Sequence, residues 1–214
     1  MNEKVLAVPR PAIEQHLRQG FFAPPEADLM GEIADSAVFL DRKPAEEDPT
    51  HKQIIPYILV CHKERVLLYR RTKKQGESRL HNKLSLGFGG HINDIDGSKD
   101  TNLVLAAMVR ELNEEIFLPS VRQVKLAGFI NDDSSPVGQV HLGVAFIVEA
   151  SNERFAVNEP EMIEAQWCDA KEVEQAFPSL ESWSQLLWKF ISGSHDNSES
   201  SSTSLGSSAS LASA

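Results

Sequence analysis

An α/β fold, with helices covering the faces of a mixed β-sheet, is what this sequence predicts, and three observations carry the prediction. Runs rich in Ile, Val and Tyr, among them QIIPYILVCH and RVLLYRR, recur between polar loops. The segment AAMVRELNEEIFL has the spacing of an amphipathic helix. Two further segments of helical spacing, AKEVEQAF and SLESWSQLLWKFI, close the patterned part of the chain.

Of the 214 residues, 41% are hydrophobic and 24% charged, which is ordinary for a globular protein. Residues 1–50 read as an irregular N-terminal extension packed on or near the core, and residues 51–190 as one substantial domain. Residues 191–214 are Ser-rich with few large apolar side chains. Burial there cannot repay the entropy of ordering, so a disordered tail is predicted. The net charge of -10 argues against an extended nucleic-acid surface, which would have to neutralise many phosphates. A small phosphorylated substrate stays compatible, because a metal or a local basic patch offsets the global sign. Cys61 and Cys168 fit neither a disulfide scaffold nor a Cys-rich zinc site. MNEKVLAVPR has no apolar signal region and no stretch approaches a membrane span, so a cytoplasmic protein without a membrane partner is the expectation.

In chain order, residues 5–8 (VLAV) predict a short edge strand ended by Pro9, and residues 12–19 a short helix stopped by Gly20. AVFLDRK supplies another strand before the acidic linker PAEEDPT. QIIPYILVCH and RVLLYRR, joined by HKE, predict a hairpin, with Pro56 marking an edge position or a bulge. KLSLGFGGHI is a short strand that dissolves into glycines. The clearest helix spans residues 102–117, with Asp100 or Thr101 as N-cap and Pro119 ending it. VKLAGFIND, GQVHLGVAFIVEA and EMIEAQWCD are further strands, the first two joined by the turn-forming residues 133–138.

At about 100° per residue, Leu105, Val109, Leu112 and Ile116 fall on one stripe suited to core packing. Glu111, Glu114 and Glu115 fall on a neighbouring arc, where three carboxylates crowd together. Glu114 and Glu115 also approach the helix C-terminus, where the dipole disfavours anions. A hard divalent cation resolves both problems. Acidic clusters on solvated helix faces are common, so the helix alone does not decide the matter. Its context adds weight: Gly87, Gly89 and Gly90 precede it and let the main chain approach a metal or phosphate, with His91 immediately after.

Residues 87–118, GFGGHINDIDGSKDTNLVLAAMVRELNEEIFL, resemble the Nudix box of the Nudix hydrolase superfamily. The pattern is a Gly, five residues, a Glu, seven residues, then Arg-Glu-apolar-x-Glu-Glu-x-Gly-apolar. Residues 110–116, Arg-Glu-Leu-Asn-Glu-Glu-Ile, match its helical half, Leu118 its last apolar position and Gly90 its first glycine. Gly90 is six residues farther from Arg110 than the pattern requires, so the loop carries an insertion. Asn102 stands where the family has its first Glu, which supports the helix and its Arg; Asp94, Asp96 and Asp100 are candidate substitutes. Phe117 stands where the family has Gly. The resemblance implies a Nudix-like α/β/α sandwich over residues 50–190.

It also implies Mg²⁺, with Mn²⁺ as an alternative, held by Glu111, Glu114, Glu115 and the carbonyl oxygen of Gly90; Arg110, one turn before Glu114, is placed to brace that carboxylate or a substrate phosphate. Glu114 or Glu115 is implied to orient or deprotonate the attacking water. Arg70, Gly89, Gly90 and His91 are candidate substrate contacts. Arg70 is favoured from the basic run Arg70, Arg71, Lys73, Lys74 and Arg79 because it ends a strand. Glu161, Glu164 and His141 are secondary candidates, and Tyr57, Phe88, Phe129 and Trp167 are aromatic residues able to stack on a base or fill the core. The implied reaction is hydrolysis of a phosphoric anhydride in a nucleoside diphosphate derivative. A non-nucleotide diphosphate, such as an isoprenoid or sugar derivative, and a non-catalytic binding domain remain open alternatives. The extension and the insertion are candidates for shaping the pocket or for an oligomer contact, with a homodimer as the candidate assembly.

Overall fold

A computed structural model describes residues 3–25, 28–71, 83–97, 102–158 and 160–196. The N-terminal part comprises β1 (Lys4–Pro9), α1 (Arg10–Ile13), β2 (Gly20–Phe22), α2 (Leu29–Ser36), β3 (Val38–Asp41) and α3 (Arg42–Ala45). The central part follows with β4 (His51–His62), β5 (Arg65–Arg71), β6 (Leu84–Ser85), β7 (Gly87–Phe88), α4 (Leu103–Glu115) and β8 (Ile116–Phe117). Then come β9 (Val121–Asn131), α5 (Pro136–Gln139), β10 (His141–Ala150), β11 (Ala156–Val157), β12 (Ile163–Cys168), α6 (Ala170–Ala176) and α7 (Ser182–Asp196).

The main sheet runs β12-β5-β4-β10-β9-β2, with β1 and β7 also on β4, β3 on β1 and β6 on β5. It is mixed: β4 and β10 are parallel, while β5–β12 and β9–β10 are antiparallel. β4 is buried along almost its whole length, as a strand covered on both faces must be. Its side chains alternate between two cores. Ile54, Ile58 and Val60 meet Val104, Ala107, Met108 and Leu112 of α4 and Ile33 of α2. Tyr57 and Leu59 meet Val173 of α6 and Leu187 and Trp188 of α7. The result is the expected α/β/α sandwich.

Several local expectations are corrected. β1 is no edge strand, because β3 pairs with its outer side and β4 with its inner side. The helix expected at residues 12–19 is α1 followed by a 3₁₀ turn, Glu14–His16. Pro56 lies inside the sheet, opposite Val144. The Gln53 N–H points to Val140 of the segment entering β10, so by alternation the N side of Pro56 faces away from β10. There it falls between the segments paired with β1 and β7, so no ladder bond is lost.

α4 departs most from expectation. Its buried set is Val104, Ala107, Met108, Glu111 and Leu112, at i, i+3, i+4, i+7 and i+8, while Leu105 and Val109 are exposed. The core stripe thus runs one residue earlier than the apolar pattern indicated and includes a carboxylate. Asn102 is the N-cap, its side chain accepting from the Leu105 N–H at 3.1 Å; Asp100 and Thr101 lie outside the described residues. The helix ends before Pro119, as Ile116 becomes extended to pair with Val157. At the other terminus α7 continues past Ile191 to Asp196, so residues 191–196, expected in the tail, are helical; residues 197–214 lie outside the described residues. Among the described residues no helix is long and apolar enough to cross a membrane.

Candidate active site

A cleft of about 850 Å³ lies between α4, the glycine segment after β6, the loop bearing α5, the start of α7 and the N-terminal part of the chain. Glu111, Glu114 and Glu115 line it from α4. The Glu111 side chain is 11% exposed, that of Glu115 14% and that of Glu114 57%. Each carboxylate rests on an arginine. Arg110 Nη1 donates to Glu111 at 2.7 Å and to Glu114 at 3.2 Å, and Arg71 Nη2 donates to Glu115 at 2.8 Å. Burial pushes the Glu111 carboxyl above the usual carboxylate range. Arg110 pulls the other way, and the charges of Glu114 and Glu115 add to the rise.

Arg110 is itself held by Asp96. Its Nε and Nη2 donate to the two carboxylate oxygens, Nη2 at 2.8 Å, and Nη2 also donates to the His91 carbonyl at 2.9 Å. The Asp96 side chain is only 2% exposed and also accepts from the Asn93 N–H at 2.7 Å. Burial opposes its charge, but the bonds from Arg110 and Asn93 hold its pKa below the usual range. Within the inserted loop, Asp96 and the His91 carbonyl thus fold back onto the arginine.

Truncating this carboxylate in Asp96→Ala leaves a half-buried guanidinium without its main partner. The expected cost is about 2–3 kcal/mol of stability, the lower end for a broken ion pair because Arg110 is partly solvated. A fall of about 10–100-fold in turnover should accompany it, read by thermal melts and steady-state assay. Adding Asn102→Glu should give no rescue, because it removes the helix cap, at about 1 kcal/mol.

The glycine segment is packed too closely for side chains. A Cβ on Gly90 would lie 2.6 Å from both carboxylate oxygens of Glu111, and one on Gly89 would collide with the Pro56 carbonyl. His91 and His141 both line the cleft, with their Nε2 atoms 3.3 Å apart.

Arg70 and Arg71 separate by strand alternation. Arg70 turns to Glu164 at 2.5 Å, whereas Arg71 lines the cleft together with Tyr69. The sequence did not reveal that parity, because Val66, Leu67, Leu68 and Tyr69 are apolar and buried on both faces of the strand. Glu161 and Glu164 are not among the described residues lining the cleft, and Lys73, Lys74 and Arg79 lie outside the described residues. Of the aromatic candidates only Tyr57 lines the cleft, joined by Tyr69 and Trp183. Phe88 and Phe129 are core, and Trp167 donates its indole N–H to the Glu153 carbonyl at 2.7 Å. Glu3, Arg42, Glu46 and Glu47 of the N-terminal part also line the cleft, as does Lys83. No sequence signal within the extension pointed to them.

The family model for the NUDIX domain matches residues 51–190. The chain belongs to the Nudix hydrolases. Protein YmaB of Bacillus subtilis (strain 168) is 37% identical over 198 residues, spanning 87% of this chain and 96% of that protein. Among solved structures, Tm1382, a candidate Nudix hydrolase, has a TM-score of 0.77 at 30% identity, covering 88% of this chain and 98% of that one. DR0079 from Deinococcus radiodurans has a TM-score of 0.50 at 13% identity, covering 74% and 90%, a likeness of fold alone.

Nudix hydrolases generally use divalent metals and act on small nucleotide derivatives. The donor set on α4 fits a hard cation by its chemistry: three carboxylates within about one helical turn, one of them buried flush against the Gly90 backbone. Among the described residues no group of three acidic, imidazole or thiol side chains converges on one point.

Proposed function

We propose that the protein hydrolyses a phosphoric anhydride bond in a nucleoside diphosphate derivative, with Mg²⁺ as its cation and Mn²⁺ able to substitute. The observation that carries this reading is the buried Glu111 carboxylate, set between the Gly90 backbone and Arg110, with Glu114 and Glu115 one turn on. Glu111, Glu114, Glu115 and the Gly90 carbonyl would hold the cation. Bound there, it would neutralise charge developing on phosphate oxygens and lower the pKa of an attacking water. Arg110, locked by Asp96, keeps the carboxylates in place. Glu114, the most exposed of the three, orients that water or takes its proton. Arg71 and Lys83 bring positive charge to the cleft for the substrate phosphates. Tyr57 and Tyr69 are buried in the core, so the partly exposed Trp183 is the aromatic side chain in the cleft that supports a substrate with a base over an isoprenoid or sugar diphosphate.

The test is a panel of nucleotide and non-nucleotide diphosphates assayed with Mg²⁺ and with chelator, beside Glu114→Gln. Metal-dependent turnover of a nucleotide compound, lost in the variant, is expected. Turnover confined to non-nucleotide diphosphates would overturn the substrate class, and turnover indifferent to chelator would overturn the metal-dependent mechanism.

A further inference from the structure

We infer, resting on the nucleotide substrate proposed above, that its base stacks on Trp183, which sits in a notch that Gly143 leaves in the sheet. The chain has three tryptophans. Trp167 and Trp188 are buried, and their indole N–H groups are engaged, by the Glu153 carbonyl and the Glu174 carboxylate. Trp183 alone of the three lines the cleft and is partly exposed. Among the described residues its indole N–H has no hydrogen-bond partner, which leaves a donor for a ligand.

The indole has a built seat. Gly143 lies inside β10, opposite Ile55 of β4 and Ile130 of β9, where a residue without a side chain weakens the strand. Close approach explains it. A Cβ at Gly143 would lie 2.9 Å from Cζ3 and 3.2 Å from Cε3 of Trp183, and 3.2 Å from the Ile130 Cβ. Ala145, the next residue of β10 on that face, is small as well. Tyr57 stands edge-on to the indole, with ring centroids 5.6 Å apart and planes at 74°. One carboxylate holds both rings: Glu181 accepts from the Trp183 main-chain N–H at 2.8 Å and from the Tyr57 hydroxyl.

The seat is tied to the carboxylate end of the cleft through the glycine segment. Ser184, fully buried beside Trp183 in the chain, accepts from the Leu86 N–H at 2.8 Å. The Tyr69 hydroxyl donates to the Gly87 carbonyl at 2.7 Å, and three residues on Gly90 abuts Glu111. Indole and carboxylates are therefore walls of one cleft held in fixed register, as a molecule with a base at one end and phosphates at the other requires. Stacking needs a flat π-face and tolerates any base, because every base has one; an isoprenoid chain or a sugar offers no base ring.

The test is calorimetric titration of the full chain in Mg²⁺ with two non-hydrolysable compounds. One is α,β-methylene-ADP, an anhydride analogue that carries a base; the other is methylenediphosphonate, its base-free counterpart. Trp183→Ala should weaken binding of the first about 5–150-fold and leave the second unchanged. Trp183→Phe keeps a ring and should retain most of the affinity, whereas Gly143→Ala displaces the indole and should weaken the first compound alone. The nucleotide analogue should also quench the fluorescence of the native protein but not of Trp183→Phe, since Trp167 and Trp188 are buried. Native protein that binds both compounds alike, or neither, would overturn the proposal. So would an equal loss of both in folded Trp183→Ala, or quenching that persists in Trp183→Phe. If Trp183→Ala does not fold, the other two variants decide by quenching and by the ratio of the two affinities. Turnover reads the hydrolase function separately. Nucleotide hydrolysis with KM unchanged in Trp183→Ala sinks the stacking role alone. Analogue bound through Trp183, with no nucleotide turned over, sinks the hydrolase reading alone.

Discussion

Glu111→Gln is expected to lower kcat by about 10²–10⁴-fold while leaving Tm unchanged or up to about 3 °C higher. The two halves have one cause. The Glu111 carboxylate is buried on the core side of α4 and crowded by Glu114 and Glu115, which raises its pKa against the pull of Arg110. A carboxyl whose pKa is raised by folding makes a charged form that opposes folding at neutral pH. That penalty fades as pH falls through the raised value. Glutamine keeps the shape and removes the charge, and Arg110 retains Asp96, Glu114 and the His91 carbonyl. Thermal melts in the absence of metal, set beside steady-state rates, check both halves. A clear fall in Tm would mean that Glu111 serves the fold, and its place in the cation site would have to be given up.

The largest loss of stability is expected at Lys52. Its side chain is fully buried, and Nζ donates to Asp133 at 2.6 Å, to the Gly138 carbonyl at 2.8 Å and to the His141 carbonyl at 3.4 Å. Lys52→Ala strands these acceptors, at a cost of about 3–5 kcal/mol. For a chain of this size that is a fall in Tm on the order of 10 °C. The same ammonium anchors the loop whose Ser135, Val137 and Gly138 wall the cleft, so KM should rise with it. Asp133 gives the pH signature. Burial opposes its charge, but hydrogen bonds from Lys52, Arg10 and Asn131 hold its pKa below the usual value. Its contribution is therefore present above the unfolded pKa of about 3.9 and lost as pH falls through the lowered one. Denaturant melts across that range should show a flatter acid limb in Asp133→Asn.

What the sequence made legible was the chemistry of α4 and the layered architecture. Residues 110–116 announce three clustered carboxylates, and strand runs such as QIIPYILVCH announce a sheet covered on both sides. The stripe of Leu105 and Val109 misled because apolarity alone does not say which face is buried. Val104, Ala107 and Met108 make an equally helical stripe, and the sheet takes that one together with Glu111. Asp96 was one of three acids in an insertion of no regular pattern. Only the closed loop reveals that it grips Arg110. The contributions of Glu3, Arg42 and Glu46 were invisible because they depend on long-range pairing of β1 with β4, which no local pattern encodes.

That pairing has a consequence for how the protein is made. β1 leaves the ribosome before any of its partners: β3 begins at residue 38, β4 at residue 51, and the bond to the Ile92 carbonyl comes later still. β4 in turn waits for β10, beginning at residue 141, for its longest ladder. A nascent chain halfway through synthesis therefore carries apolar strands with unpaired edges, the species most prone to join other chains. Lesions in β1 should show first as lost soluble yield, with the molecules that do mature turning over at a nearly normal rate.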